Sequence, residues 1–250
     1  MTAEPLPRRL ILDEVDSTNA EAARRAQAGE PGPLWITAAR QNAGRGRHGR
    51  AWAMPPGNLA ATLLLRPALA PAEAAQLSFV ACLAVADLLG RLAPQARVSL
   101  KWPNDPLLNG RKAAGVLLES AGAAGGLDWL AIGIGVNLAA PPPPEALRPG
   151  AHPPTAVAAE GGRVATPDAA LDILAPAFAA WQARHAAQGF APIRAAWLAR
   201  AEGLGRQIEA RLPSGTRSGI YEDMDETGRL VLREASGLAR ISAAELYFPG

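Results

Sequence analysis

Two almost uninterrupted apolar stretches, residues 114–119 and about 127–137, narrow the fold more than any other feature of the chain. They are short, rich in Val, Ile and Leu, and bounded by Gly-containing segments, so they read as neighbouring strands buried on both faces at the centre of a sheet. Further strands are expected at 8–15, 34–39, 59–65 and about 97–101. An apolar helix is expected over about 72–92. Thr18-Asn-Ala-Glu21 has the form of a capping box, with Thr18 as N-cap and Glu21 reaching back, opening an alanine-rich helix that stops near Gly29. Residues 139–154 are dense in proline and must form an exposed loop. Thr166-Pro167-Asp168 opens a helix that Pro176 is expected to kink, and a second helix covers about 192–202. From Gly203 the pattern changes to short alternating strands joined by Gly-rich or acidic turns. The division this predicts is an α/β body over 1–202 and a small β-barrel over 203–250.

Composition excludes several classes of function. The chain has 250 residues, 49% of them apolar, and a net charge of +2 from 25 basic and 23 acidic residues. That balance is not that of a general nucleic-acid coat, although it leaves room for a local basic patch. The first ten residues carry an acid and two prolines and lead into no apolar signal core. Gln76, Ser78 and Asp87 interrupt the 72–92 helix, which reads as too short and too polar to span a bilayer. Cys82 is the one cysteine, expected in the core, and His48, His152 and His185 lack metal-ligand spacing. The expectation is a soluble, cytoplasmic protein without a structural metal.

Charge chemistry is more informative. Of the 25 basic residues only Lys101 and Lys112 are lysine. An ammonium is a compact point charge on a flexible stem and a guanidinium is a planar fork, so a site following one moving oxygen can require the former. Compositional bias that spared two surface lysines is the competing reading. Gln41-Asn-Ala-Gly-Arg-Gly-Arg-His-Gly-Arg50 contains a literal G-x-G-x-x-G, but Pro55 and Pro56 block the helix that a dinucleotide fingerprint must enter. A Walker loop fails too, for want of Lys-Ser/Thr. No acid occurs between Glu30 and Glu73, while Arg40, Arg45, Arg47, Arg50 and Arg66 all do. A glycine-hinged arginine loop suits a polyphosphate or an acyl phosphate, or else it is a solvated Arg/Gly loop.

Together, Asp16-Ser-Thr-Asn19, the Gln41–Trp52 loop, Lys101-Trp-Pro-Asn-Asp105, Arg111-Lys-Ala-Ala-Gly115 and Gly133-Ile-Gly-Val-Asn137 resemble the biotin protein ligases, the biotin–[acetyl-CoA-carboxylase] ligases, in order and spacing over nearly the whole chain. The resemblance implies an α+β fold: a mixed sheet with helices on one side, like the core of class II aminoacyl-tRNA synthetases, followed by an SH3-like barrel. Because the core starts within ten residues, the short form without a DNA-binding domain is expected. His48 stands where many relatives have Arg.

The resemblance also implies a chemistry. Biotin attacks the α-phosphorus of ATP, giving biotinyl-5′-AMP, and a lysine of a biotin carboxyl carrier domain then takes the biotin. Lys112 would be the central cation, with Arg45, Arg47 and Arg50 holding phosphates and closing the loop. Ser17, Thr18, Asn19 and Gln41 would meet the ureido ring, with Gly46 and Gly115 beside the ligand. Trp52 and Asn137 would serve the adenylate, or else be core and turn residues. Asp105 would orient Lys112, act as base for the carrier lysine, or be a turn residue. Lys101 reads as structural or at the rim. Mg²⁺ would arrive with ATP, and the protein would act as a monomer or homodimer without DNA or membrane. A lipoate or octanoyl ligase is the nearest rival, but it would need a narrow apolar tunnel. An Arg/Gly-loop nucleic-acid module and a catalytically dead biotin sensor are the others.

Overall fold

The computed structural model describes residues 7–122, 126–147 and 152–248. In chain order the first elements are β1 (Arg8–Val15), α1 (Thr18–Gln27), β2 (Leu34–Gln41), β3 (Leu59–Leu65) and α2 (Pro71–Leu92). A small antiparallel unit follows, β4 (Val98–Lys101), β5 (Asp105–Leu108) and β6 (Arg111–Lys112), then β7 (Ala114–Ala121) and β8 (Trp129–Val136). The body ends with α3 (Pro167–Gln188) and α4 (Ala191–Leu198). Its five-stranded sheet has the order β1-β2-β3-β8-β7, with β1 and β2 parallel and the remaining pairs antiparallel. The two apolar stretches are adjacent strands, but β8 is the interior one and β7 forms the edge.

Alternation along β8 explains why a stretch so apolar folds this way. Ile132, Ile134 and Val136 point with Leu63 and Leu59 into the main core, against α2. The opposite face carries Gly133 and Gly135, whose missing side chains leave space. On that side Ala22 and Ala26 of α1 pack on Leu34, Ile36, Leu64 and Ala131. Helices therefore lie on both faces, α2 to α4 behind the sheet and α1 in front, which corrects the expected one-sided arrangement. α2 has the length and hydropathy of a membrane span, contrary to the sequence reading, yet most of it is buried in the protein. Its polar residues explain why it stays there. Asp87 accepts from Trp181 Nε1 at 2.7 Å, and Gln76 Oε1 lies 2.8 Å from His185 Nε2.

Three local expectations change. Thr18 is the first helical residue and not the cap. Its N–H and hydroxyl both reach Gln41 Oε1, at 2.8 and 3.1 Å, so an acceptor from the end of β2 does the capping. Glu21 faces outward to Arg24 and Arg25. α3 continues through Pro176 as one helix. α4 stops at Leu198 because the residues after it are held by β4: Leu100 N–H donates to Arg200 O and Glu202 N–H donates to Leu100 O.

Beyond Gly203 the strands β9 (Gln207–Leu212), β10 (Gly215–Met224), β11 (Leu230–Glu234), β12 (Gly237–Ile241) and β13 (Glu245–Tyr247) form one antiparallel sheet, ordered β12-β11-β10-β9-β13. Ile208, Tyr221, Leu232 and Leu246 from this sheet join the main core. Trp102 is the seam between the two parts: it is 2% exposed and its Nε1 donates to Gly228 O at 3.0 Å. Trp102→Phe should lower the unfolding free energy by about 1–3 kcal/mol, since a buried carbonyl loses its donor. Urea denaturation reads this as a lower midpoint at unchanged slope, and an unmoved midpoint would contradict the role.

Candidate active site

A cavity of about 420 Å³ opens in front of the sheet, within the range of small-molecule sites. Its floor is made by glycine. Gly115 and Gly135 are register partners on β7 and β8, and Gly133 follows on the same face. A Cβ on Gly135 would fall 2.5 Å from Trp52 Cε2, one on Gly115 3.2 Å from Trp52 Cζ3, and one on Gly133 2.3 Å from Asn19 Oδ1. Trp52 therefore lies directly on the Gly115–Gly135 pair, and the Asn19 side chain lies on Gly133. The residues that the resemblance assigns to the site all line this cavity, Ser17, Thr18, Asn19, Gln41, Arg45, Gly46, Arg47, Arg50, Trp52, Asp105, Lys112, Gly115 and Asn137, whereas Arg40 pairs with Glu14 and Arg66 binds backbone carbonyls elsewhere.

At one end Ser17, Thr18 and Asn19 begin α1 and are buried. The turn into them is anchored by Asp16, whose Oδ1 accepts Ser17 N–H at 2.7 Å and pairs with Arg24. Hydrogen bonds from Arg24 hold the Asp16 carboxyl down to about 2, so this anchor stays ionised through the physiological range. Thr62 Oγ1, unmarked in the sequence, lies 2.8 Å from Thr18 Oγ1 and 2.7 Å from Asn19 Oδ1, and its single proton serves one at a time. Asn19 Nδ2 donates to Glu119 Oε2 at 2.7 Å and to Leu117 O at 3.3 Å. Asn19 thus has both amide hydrogens committed inside the protein. The Ser17 hydroxyl makes no cap bond, while Gln41 uses its carbonyl on Thr18 and keeps its Nε2 donors for the cavity.

Lys112 and Asp105 meet through a hairpin that the sequence reading overlooked. Asn109 and Gly110 have φ of 48° and 75° and close β5 onto β6, with Leu108 opposite Arg111 and Leu107 opposite Lys112. Asn-Gly is the strongest two-residue hairpin signal, because both central residues need positive φ. Asp105 and Leu107 share a face, so Asp105 is the diagonal neighbour of Lys112, and Nζ sits 2.7 Å from Asp105 Oδ1. Asp105 is consequently a strand residue that accepts an ion pair, and not a turn residue. The Lys112 backbone is gripped from both sides: its N–H donates to Pro153 O and its C=O accepts from Thr155. Nζ lies 5.6 Å from the Trp52 ring, a cation–π geometry.

The arginine loop is a compact turn, with Gly46 N–H donating to Arg50 O and a bridge between Arg45 and Ala51. His48, at φ 57°, takes the left-handed conformation there. Gly44 is required because a Cβ would fall 2.6 Å from Trp52 O. Arg45 reaches Glu119 at 3.3 Å and Arg50 reaches Glu245 of β13 at 2.9 Å. Arg47 is different. Burial holds its guanidinium below the usual arginine value, and the charge of Asp105 opposes this. Its one side-chain hydrogen bond among the described residues, to Asn104 Oδ1, is long at 3.4 Å. The charge of Glu245 opposes the burial as well, so Arg47 is a partly desolvated cation on the cavity wall. At the far end Asn137, buried, donates to Thr155 O at 2.9 Å. Lys101, which read as structural or at the rim, is a buried part of the wall, with Nζ 5.9 and 5.8 Å from the Tyr247 and Phe248 rings. His152 is held below the ordinary histidine value by burial and then by Lys101.

A mixed sheet carries this floor, with an arginine turn above it and an antiparallel sheet at its flank. Residues 12–137 match the biotin/lipoate A/B protein ligase family, and residues 203–248 match the biotin protein ligase C terminal domain. The chain is 53% identical over 241 residues to the biotin–[acetyl-CoA-carboxylase] ligase of Paracoccus denitrificans, spanning 96% of this chain and 100% of that protein. It is 30% identical over 250 residues to the bifunctional ligase/repressor BirA of Bacillus subtilis, spanning 98% of this chain and 76% of that protein. The biotin protein ligase of Aquifex aeolicus, solved in complex with biotin and ATP, has a TM-score of 0.78 at 25% identity, with 96% of this chain and 97% of that one covered. The chain belongs to the biotin protein ligases of the biotin/lipoate A/B protein ligase family.

Gly133→Ala tests the floor. The added methyl must displace the Asn19 side chain, and the variant should bind biotin at least about tenfold more weakly. Isothermal titration would show this, and parental affinity would mean that Asn19 does not rest on the floor as described.

Proposed function

We propose that this pocket performs both half-reactions of ATP-dependent biotin–protein ligation, each with assigned residues. Gly133 and Gly135 follow one another on one face of β8 and Asn137 comes just past its end, so the floor runs about 13 Å at the usual strand rise. The bicyclic ring of biotin lies at the Asn19 end, its ureido group facing the Ser17 hydroxyl and Gln41 Nε2. Thr18 and Asn19 hold that end in shape more than they contact it. This polar end favours biotin over lipoate, whose dithiolane offers nothing for such donors. The valeryl chain then brings the carboxylate past Gly115 and Gly46 to Lys112, and the adenylate continues toward Trp52 and Asn137.

One observation carries the reading: the Lys112 ammonium, 2.7 Å from Asp105, stands over the middle of the glycine floor. Adenylation brings a carboxylate against the α-phosphate, two anions, and builds charge on phosphoryl oxygens as pyrophosphate leaves. A fixed ammonium stabilises that charge without reorganising. Arg45, Arg47 and Arg50 gather the phosphates, and burial holds the Arg47 guanidinium below the usual arginine value. Asp105 orients Lys112 in the first step. In the second it is placed to accept a proton from the carrier lysine, whose neutral amine attacks the anhydride. Mg²⁺ enters with ATP, held by phosphate oxygens and water; no group of three metal-ligating side chains occurs among the described residues. The acceptor is the biotin carboxyl carrier domain of acetyl-CoA carboxylase or a related biotin enzyme, met in the cytoplasm by a monomer or homodimer. The part from Gly203 onward, packed on the body through a shared core, closes the phosphate side through Glu245.

Incubation with ATP, Mg²⁺, biotin and a carrier domain should add the mass of one biotinyl group to one lysine of the carrier. No added mass would refute the activity. Lys112→Arg should fold with the parental circular dichroism and lose biotin-dependent pyrophosphate exchange by about 10²–10³, the usual scale for one preorganised oxyanion partner. Exchange within a few fold of the parent would remove Lys112 from the chemistry.

A further inference from the structure

Asn58 is 1% exposed and lines no part of the cavity, yet its side chain is wholly engaged with a segment 80 to 82 positions away. Its Oδ1 accepts the N–H groups of Leu138, Ala139 and Ala140 at 3.0, 2.9 and 3.2 Å, and its Nδ2 donates to Ala140 O at 2.7 Å. Three amides converging on one atom also fix which end of the carboxamide is oxygen.

The reason lies in the ladder. β3 and β8 stop pairing at Leu59–Val136, so the amides beyond Asn137 have no strand partner, and Asn58 supplies one from just outside the sheet. The next residues, Pro141 to Pro144, have no N–H at all and cannot fasten themselves as donors. Farther on, among the described residues, the short turn Pro143–Leu147 adds the backbone bonds from Ala146 to Pro143 and from Leu147 to Pro144. Pro142, Ala146 and Leu147 nevertheless form cavity wall on the side of Asn137 and His152. The three amides that Asn58 holds, together with the Leu138 carbonyl that accepts from Ala158 N–H at 3.0 Å, therefore anchor the chain that leads into this wall. Asn58 also belongs to the turn that leaves the arginine loop: its N–H donates to Pro55 O at 3.3 Å, and Gly57, at φ 83°, packs where a Cβ would be 3.0 Å from Ala139.

We propose that Asn58 is a positioning residue that sets the Pro142–Leu147 wall at the nucleotide end of the pocket and ties it to the exit of the arginine loop. It touches no substrate and acts through the backbone it caps. The inference rests on the ligase reading given above, which places the nucleotide on the Asn137 side.

Biotin-dependent pyrophosphate exchange with the full chain tests it, with KM measured separately for ATP and biotin. Asn58→Ala should raise KM for ATP about tenfold, as expected for orphaned buried amides, and leave KM for biotin within about twofold. Asn58→Asp keeps the three accepted bonds and should recover most of the ATP affinity. Asn58→Ser puts one acceptor on a shorter stem, and should show a several-fold ATP effect even if the alanine variant does not fold. Leu147→Ala, in the wall itself, should share the ATP-selective effect. An unchanged KM for ATP in the serine or alanine variant overturns the proposal. So does an equal rise in both KM values that follows Tm and is not restored by aspartate. If the parent shows no biotin-dependent exchange, the ligase reading fails and not the role of Asn58 within it.

Discussion

The absence of side chains on one face of two adjacent strands is the constraint on which the pocket depends. Gly115, Gly133 and Gly135 project nothing toward the front of the sheet, while Ile132, Ile134 and Val136 anchor the same strand in the core behind it. Glycine in a strand loses packing and costs backbone entropy. Here the burial of the alternate isoleucines and valine offsets it, at roughly 1.5–3 kcal/mol for each fully buried side chain. The front face can then accept an indole at Gly135 and a carboxamide at Gly133 at distances where any Cβ would collide. One strand supplies both the stability and the vacancy.

Electrostatics complete the design. The Asn109–Gly110 hairpin places Lys112 diagonally opposite Asp105, and backbone bonds to Pro153 and Thr155 hold its main chain. The charge is partly shielded: the Lys112 and Asp105 side chains are 28% and 17% exposed. A cation fixed in that setting needs little reorganisation when negative charge appears, which is the property a phosphoryl-transfer site requires. The arginines around it are arranged otherwise. Arg45 and Arg50 are tied to Glu119 and Glu245 at the edges, so any incoming anion would compete with carboxylates for them. Arg47 makes no ion pair among the described residues, and its side chain reaches Asn104 at 3.4 Å.

Much of this was legible in the sequence, for identifiable reasons. The strands at 8–15, 34–39 and 59–65 and the helix near 72–92 were marked by periodicity and punctuation, and each appears within a residue or two. The residues that line the cavity were marked because they sit in short motifs whose chemistry is unusual: two lysines among arginines, and glycines spaced between arginines. What escaped was information carried by tertiary partners. The capping of α1 depends on Gln41, 23 positions away. Glu119, Thr62 and Asn58 look ordinary in the chain and acquire meaning from Asn19 and from residues 138–140. The Asn109–Gly110 hairpin could have been read, since Asn-Gly between Leu108 and Arg111 is an explicit turn signal. Its strands are simply too short to show a period.

The most direct measurement is a crystal structure of the chain bound to biotinyl-5′-AMP. The account predicts the bicyclic ring over Gly133, with its ureido atoms within hydrogen-bond distance of the Ser17 hydroxyl and Gln41 Nε2. It also predicts Lys112 Nζ against the oxygens of the acyl phosphate. A ligand that left the glycine floor uncovered, with Lys112 still bound only to Asp105 and remote from the anhydride, would contradict it.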